Sequence, residues 1–316
     1  MSDRVSSIIV VSLNKQSSLF GCLKILIESL RIFPKNKHIY FLILIFITLP
    51  LSLLHFSQSL SSYPIKTRIL HLEYLATRAA TRIESLQVWR ESREFALSLF
   101  HLKLFYFLPT YFLSLIAAIT VITSTAYAYN KTPITIQFVF STIKLTWLRP
   151  LLTSFYIYAI LLLYSIVPYM LLDVVRSPTP WLKLVIWVVV VSVELYLIAV
   201  LGLSLVVSIM EMRSGWDAIQ VGWCLMEGRR ICGWFLCGLM VVVTGVIGWR
   251  MEGLVVVRDD SVEEAKWMVM EGWEEAILVG LYGLAPVWGF IVTTVFYCEC
   301  KKKHGGRSEE ELHQQD

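Results

Sequence analysis

Charge is scarce in this chain: 16% of its 316 residues are Asp, Glu, Lys or Arg, while 56% are hydrophobic. Soluble domains carry roughly one-quarter charge, so a water-soluble globular fold is excluded. The spacings of the commonest chemistries are missing too. There is no phosphate-cradling G-x-x-x-x-G-K-[ST] or G-x-G-x-x-G loop and no G-x-S-x-G nucleophile elbow. The six histidines (His38, His55, His71, His101, His304, His313) are scattered without an H-E-x-x-H or a paired-cysteine spacing, so neither a metal nor a cofactor is expected. No stretch alternates with period two, which argues against a β-barrel.

What the chain has instead is long apolar runs. A hydrocarbon core about 30 Å thick needs about 20 such residues per helix. Six stretches qualify: Ile39 to Phe56, Leu104 to Ala128, Leu151 to Leu172, Leu184 to Met210, Cys232 to Trp249 and Ala276 to Tyr297. The fold expected is an all-α membrane protein of six transmembrane helices. Ile8 to Leu13 is too short for a signal-peptide core and is followed by Lys15, so the first span is expected to act as its own insertion signal.

An even number of spans puts both termini on one side. Lys and Arg concentrate in the N-terminal segment, the second and fourth loops and the tail. The basic residues of the long first loop count for little, because long segments cross regardless of charge, and the fifth loop is acidic (Asp259, Asp260, Glu263, Glu264, Glu271). Both termini are therefore expected in the cytosol, in an endomembrane such as the endoplasmic reticulum or in the plasma membrane. The net charge of +4 then suits an anionic cytosolic leaflet rather than a nucleic acid. All six cysteines fall in cytosolic or membrane positions, where thiols stay reduced, and no disulfide is expected. Cys298 and Cys300, where the last span meets the cytosol, are either acylation sites or small hydrophobes at a helix end. The sequon Asn130-Lys131-Thr132 faces the cytosol.

A unit recurs along the chain. Ile136-Gln137 reappears as Ile219-Gln220, each pair just after a span. In SGWDAIQVGWCLMEGRRICGW (214–234), Ser214 with Asp217 forms a capping-box pattern, and Thr132 with Pro133 opens the earlier copy. Trp216, Ile219, Trp223 and Met226 share one helical face, and Arg229 with Arg230 closes the helix. A third copy precedes the first span, where Leu19, Leu23, Leu26, Leu30 and Phe33 form a stripe. The reading is three repeats of an amphipathic cytosolic helix plus two spans. The organisation is a segment 1–38 with an amphipathic helix, a six-helix domain 39–298 and a basic-then-acidic tail 299–316. The six-helix domain carries a non-cytosolic helical loop 57–101 and cytosolic amphipathic helices 132–148 and 214–230. In the loop, Leu72, Leu75, Ala79, Ile83 and Leu86 align on one helix. Helices of this kind either lie in the interface, sunk about 5 to 10 Å, or pack as elbows between spans.

Within the membrane, Glu194 in VVVVSVELYLIAV is the candidate polar site, since burying a charge there costs at least about 2.5 to 3.5 kcal/mol. Tyr158, Tyr164 and Ser192 are its candidate hydrogen-bond partners, and either a carrier's carboxyl or a neutral interhelical bond fits.

These segments resemble a plant family of uncharacterised six-span membrane proteins, some labelled "polyadenylate-binding protein 1-B-binding protein". The likeness covers about Phe20 to His304. It rests on Ser208 to Glu211 with Ala218 to Arg230, and on VFYCECKKKH from Val295 to His304. Where such proteins often carry a Trp-His pair in the fourth span, this chain has Leu201 and Gly202, so no role of that histidine carries over. The helix-plus-basic-turn element also looks like one in bacterial membrane domains, some fused to glycerophosphodiester phosphodiesterases, but brings no catalytic residue. The family label implies no recognition motif for RNA. Two functions are expected. One is a non-enzymatic scaffold at the lipid interface, with protein partners or a homo-oligomer left open. The other is a transporter or channel for a small or lipid-like solute through Glu194.

Overall fold

The computed structural model describes residues 21–32, 37–78, 81–132, 136–174, 179–260 and 268–313. Described residues contain helices and no strand. Helix α1 covers 21–32; then come α2 (Lys37–Ile43), α3 (Leu49–Arg78), α4 (Arg82–Tyr129), α5 (Ile136–Thr146), α6 (Leu148–Val174), α7 (Pro180–Met210), α8 (Trp216–Met226), α9 (Arg230–Asp260) and α10 (Met268–His313). Six stretches are long and apolar enough to cross a membrane: Tyr40–Arg78, Arg82–Tyr129, Leu148–Leu171, Trp181–Met210, Arg230–Arg250 and Ala276–Lys303. The protein is a multi-pass, all-α membrane protein. Each span contains or closely follows one of the apolar runs read from the sequence, because in hydrocarbon the backbone must satisfy itself within the helix.

The first loop corrects one expectation. Instead of a separate helix across Leu72 to Leu86, the first span continues to Arg78 and the second begins at Arg82. Thr81 supplies the new start, its Oγ1 accepting from the Glu84 N–H at 3.3 Å, an N-cap bond. Ala79 lies outside the described residues. With 48 residues, α4 is about 70 Å long at 1.5 Å per residue, far more than the bilayer needs. Arg68 sets its guanidinium 5.7 Å from the Phe95 ring, joining the two arms.

The chain divides into two compact units. One comprises Met1–Phe41, Ala118–Val242 and Val287–Asp316; the other comprises Leu42–Ala117 and Val243–Pro286. In the first, the core is built from small and branched residues of three spans: Ala118, Ile122 and Ala126 of α4, Val200, Leu203 and Val207 of α7, and Ile291, Val292 and Val295 of α10. Buried hydroxyls are retained beside them, Ser204, Ser208 and Thr294 each donating to a carbonyl of the preceding turn. That self-satisfaction makes a hydroxyl tolerable in a bilayer.

In the second unit, a π-helical turn (Leu44–Thr48) interrupts the first span. Gly283 of α10 approaches it closely enough that a Cβ would lie 3.2 Å from the Thr48 carbonyl oxygen. A π-bulge met by a close neighbour is a usual place for a helix to bend.

Cys22 of α1 and Cys232 of α9 are joined as a disulfide, their Cα atoms 5.5 Å apart, within the usual range. This corrects the expectation that all six cysteines are thiols. The two lie 210 positions apart, and only the packing of α1 in the first unit brings them together. Cys224, Cys237, Cys298 and Cys300 are free. Denatured protein therefore takes up four alkyl groups without reductant and six after reduction, counted by intact mass. Six without reductant would refute the pairing.

Candidate functional site

Segment 214–234 is the end-piece of a polar hub in the first unit. The turn leaving α7 is tight, with Met212 at φ 58° and Gly215 at φ 62°. Gly215 is the N-cap residue of α8, and no side chain caps the helix. This corrects the capping box: Ser214 stands one residue too early to cap. The Gly215 N–H donates instead to Thr153 Oγ1 of α6 at 3.0 Å, in a left-handed conformation that favours glycine. Asp217 does lie in the first turn, where a carboxylate meets the positive end of the helix dipole.

The expected single apolar face divides in two. Ala218, Ile219, Gly222, Leu225 and Met226 are buried, and α8 packs on α7 and α6. Trp216 and Trp223 flank that face and remain 55% and 48% exposed. Trp223 meets Tyr196 edge-on at 5.5 Å. The arginines also part company. Arg230 pairs with exposed Glu227 at 3.0 Å, a contact worth little in water. Arg229 turns inward to Glu299 of α10 at 3.8 Å.

On α10, the turn from Tyr297 to Lys301 gathers the ends of three other elements. The Tyr297 hydroxyl donates to Glu211 Oε1 at 2.6 Å, and Lys301 Nζ donates to the same oxygen at 2.9 Å. Tyr129, closing α4, donates to Glu299 Oε1 at 3.1 Å. Burial pushes the Glu211 carboxyl up. The hydrogen bonds from Tyr297 and Lys301, with the charges of Lys301 and Arg213, outweigh it and hold the group below its ordinary value. The Glu211 end of the fourth span and the Val295-to-His304 motif are thus in direct contact. The sequence marks both segments but does not join them. The available signal was that each carries charge just past an apolar run on the same side.

Cys300 is 2% exposed, packed as a small hydrophobe at the helix end. Cys298 is half-buried. Glu194 sits on the exposed side of α7. Two expected partners use their hydroxyls elsewhere, Tyr164 donating to the Val190 carbonyl and Ser192 to that of Val188. Thr132, expected to open the earlier copy, donates back to the Tyr127 carbonyl at the end of α4; Pro133 lies outside the described residues.

The second unit holds two neighbouring cavities that sequence reading missed. The larger, about 400 Å³, is lined by His55, Gln58, Ser59, Ser62, Lys66, Lys103, Gly245, Gly248, Trp249 and Tyr282. The smaller, about 130 Å³, shares His55 and Tyr282 and adds Leu51, Ser52, Ser114, Thr244, Gly283 and Pro286. His55 and Tyr282 meet edge-on at 5.4 Å, forming the partition. Glu194 lines neither cavity, and no group of metal-binding side chains occurs among the described residues.

No curated protein and no solved structure matches the chain. Residues 14–312, nearly its whole length and all six spans, match one family, and the chain accordingly belongs to the family described as "Domain of unknown function (DUF8558)".

Proposed function

We propose that the protein is a non-enzymatic, multi-pass scaffold that organises the lipid interface of the membrane holding it. The observation that carries this reading is the division of α8: one side is locked onto α7, while Trp216 and Trp223 stay 55% and 48% exposed beside it. Indoles suit the headgroup layer, apolar in body with one polar N–H. The docked side fixes their depth, so the helix is elbow and interface seat together. Helices α1, α5 and α8, each preceding a span, are read as three copies of that device facing the cytosol. An anionic leaflet there is the partner, through the arginines and lysines that follow each copy. The likeness to plant six-span proteins falls on this same hub, from Ala218 to Arg230 and from Val295 to His304. An endomembrane such as the endoplasmic reticulum, or the plasma membrane, is the expected home.

The test is the full-length tagged protein carrying Trp216→Ala with Trp223→Ala. Each indole contributes on the order of 1 kcal/mol of interfacial burial. The double variant is expected to stay inserted, resist carbonate extraction and spread among cell membranes several-fold more evenly than wild type. An unchanged distribution refutes the reading.

A further inference from the structure

We propose that the paired cavities of the second unit bind an amphiphile with an anionic headgroup. The headgroup occupies the larger chamber and the start of the hydrocarbon tail enters the smaller. This site uses other residues than the α8 interface, and it stands or falls independently of the scaffold reading.

Three observations converge. The first is charge: Lys66 and Lys103 line the larger chamber, and none of its described lining residues is a carboxylate. Arg250, next in sequence to the lining residue Trp249, sets its guanidinium 5.9 Å from that ring. With Gln58 as a further donor, the lining suits a phosphate, sulfate or carboxylate. The second is size, since about 400 Å³ falls within the range of small-molecule sites.

The third is depth. On α4, Lys103 precedes the apolar run and Ser114 of the smaller chamber lies within it, about 16 Å further along the helix. On α3, Leu51 and Ser52 of the smaller chamber lie in the apolar run and Lys66 beyond its end. On α9, Thr244 precedes Trp249, which ends its run; on α10, Pro286 lies one turn further into the span than Tyr282. Along all four helices the cationic or polar chamber lies toward the span's end and the more apolar chamber toward its middle. An amphiphile standing in a leaflet has that same order, with its charge at the headgroup level and its chain inward.

The experiment measures binding to full-length protein in neutral detergent, by calorimetry, with three probes: dihexanoyl phosphatidic acid, dihexanoyl phosphatidylcholine and inorganic phosphate. Phosphatidic acid is expected to bind at least tenfold more tightly than either of the others. Lys66→Gln with Lys103→Gln should abolish that preference. Should the double variant fail to fold, Lys103→Gln alone, at an exposed position, is expected to cost at least threefold. Equal binding of phosphatidylcholine would overturn the anionic headgroup, and equal binding of inorganic phosphate would overturn the amphiphile. Retention of full affinity by the folded lysine variants would overturn the site.

Discussion

Gly222→Leu is expected to detach α8 from the bundle. A Cβ at this position would collide with the Ser204 hydroxyl and stand 3.1 Å from both the Ser204 Cα and N. The hydroxyl is a short, movable group, but the two backbone atoms belong to the interior of α7 and yield only if the helices separate. Overpacking of a well-filled contact costs about 1 to 3 kcal/mol, and a four-carbon side chain against backbone belongs at the upper end. The buried face of α8 is one short row, from Ala218 to Met226, so losing its central contact releases the whole helix. Trypsin reports this directly, because Arg213, Arg229 and Arg230 flank α8. Detergent-solubilised Gly222→Leu should be cut there under conditions that spare wild type, and should melt several degrees lower. Gly222→Ala should show the same effects in smaller degree. Gly280→Ala, where an added Cβ meets nothing within 4 Å, should be neutral or slightly stabilising, as alanine in a helix usually is. Equal resistance of Gly222→Leu and wild type to trypsin would mean that α8 is not held by this contact.

The same helix shows how far a sequence alone reaches. Its existence, length and bordering tryptophans follow from local spacing, because a period near 3.6 is written in neighbouring residues. Its start does not. Ser214 satisfies the capping pattern, yet the conformation of Gly215 and the Thr153 hydroxyl decide the matter, and Thr153 lies on another span. The spans were legible for a stronger reason: lipid imposes a length and an apolar composition on each helix separately. By contrast, the first loop failed as a single helix because the apolar residues from Leu72 to Leu86 keep helical spacing across the break at Thr81, and spacing alone does not mark a break. The cavities were invisible because their lining comes from four helices, each contributing a few residues of ordinary appearance. Cys22 with Cys232, and Glu211 with Tyr297 and Lys301, belong to the same class: pairings made by packing across long stretches of chain. Even there the sequence held a hint, since Glu211 and Lys301 are charges left at the same end of two apolar helices, where an unpaired charge is costly.

That pair gives the second large expected effect. Replacing Glu211 by Gln keeps the shape but removes the charge that accepts from both Tyr297 and Lys301. Charge-assisted bonds of this kind are worth about 1.5 to 3 kcal/mol, discounted here because Lys301 is 59% exposed, so the loss expected at pH 7 is about 1 to 2 kcal/mol. The acid dependence follows from the carboxyl's depressed position in the folded protein. A group lowered on folding adds stability that is fully present above its unfolded value, near 4.5, and that is lost as pH falls through the folded value. Wild type should therefore melt several degrees above Glu211→Gln at pH 7, and the gap should narrow below pH 4.5 until the two coincide. Tyr297→Phe removes one donor and leaves the charge pair, so it should lose less at pH 7 and keep an acid-dependent advantage over Glu211→Gln. Lys301→Met in the Glu211→Gln background should cost much less than in wild type, because the two residues act as a pair. A gap that stays constant from pH 7 to pH 3 would show that Glu211 supports the junction of α7 and α10 by packing alone.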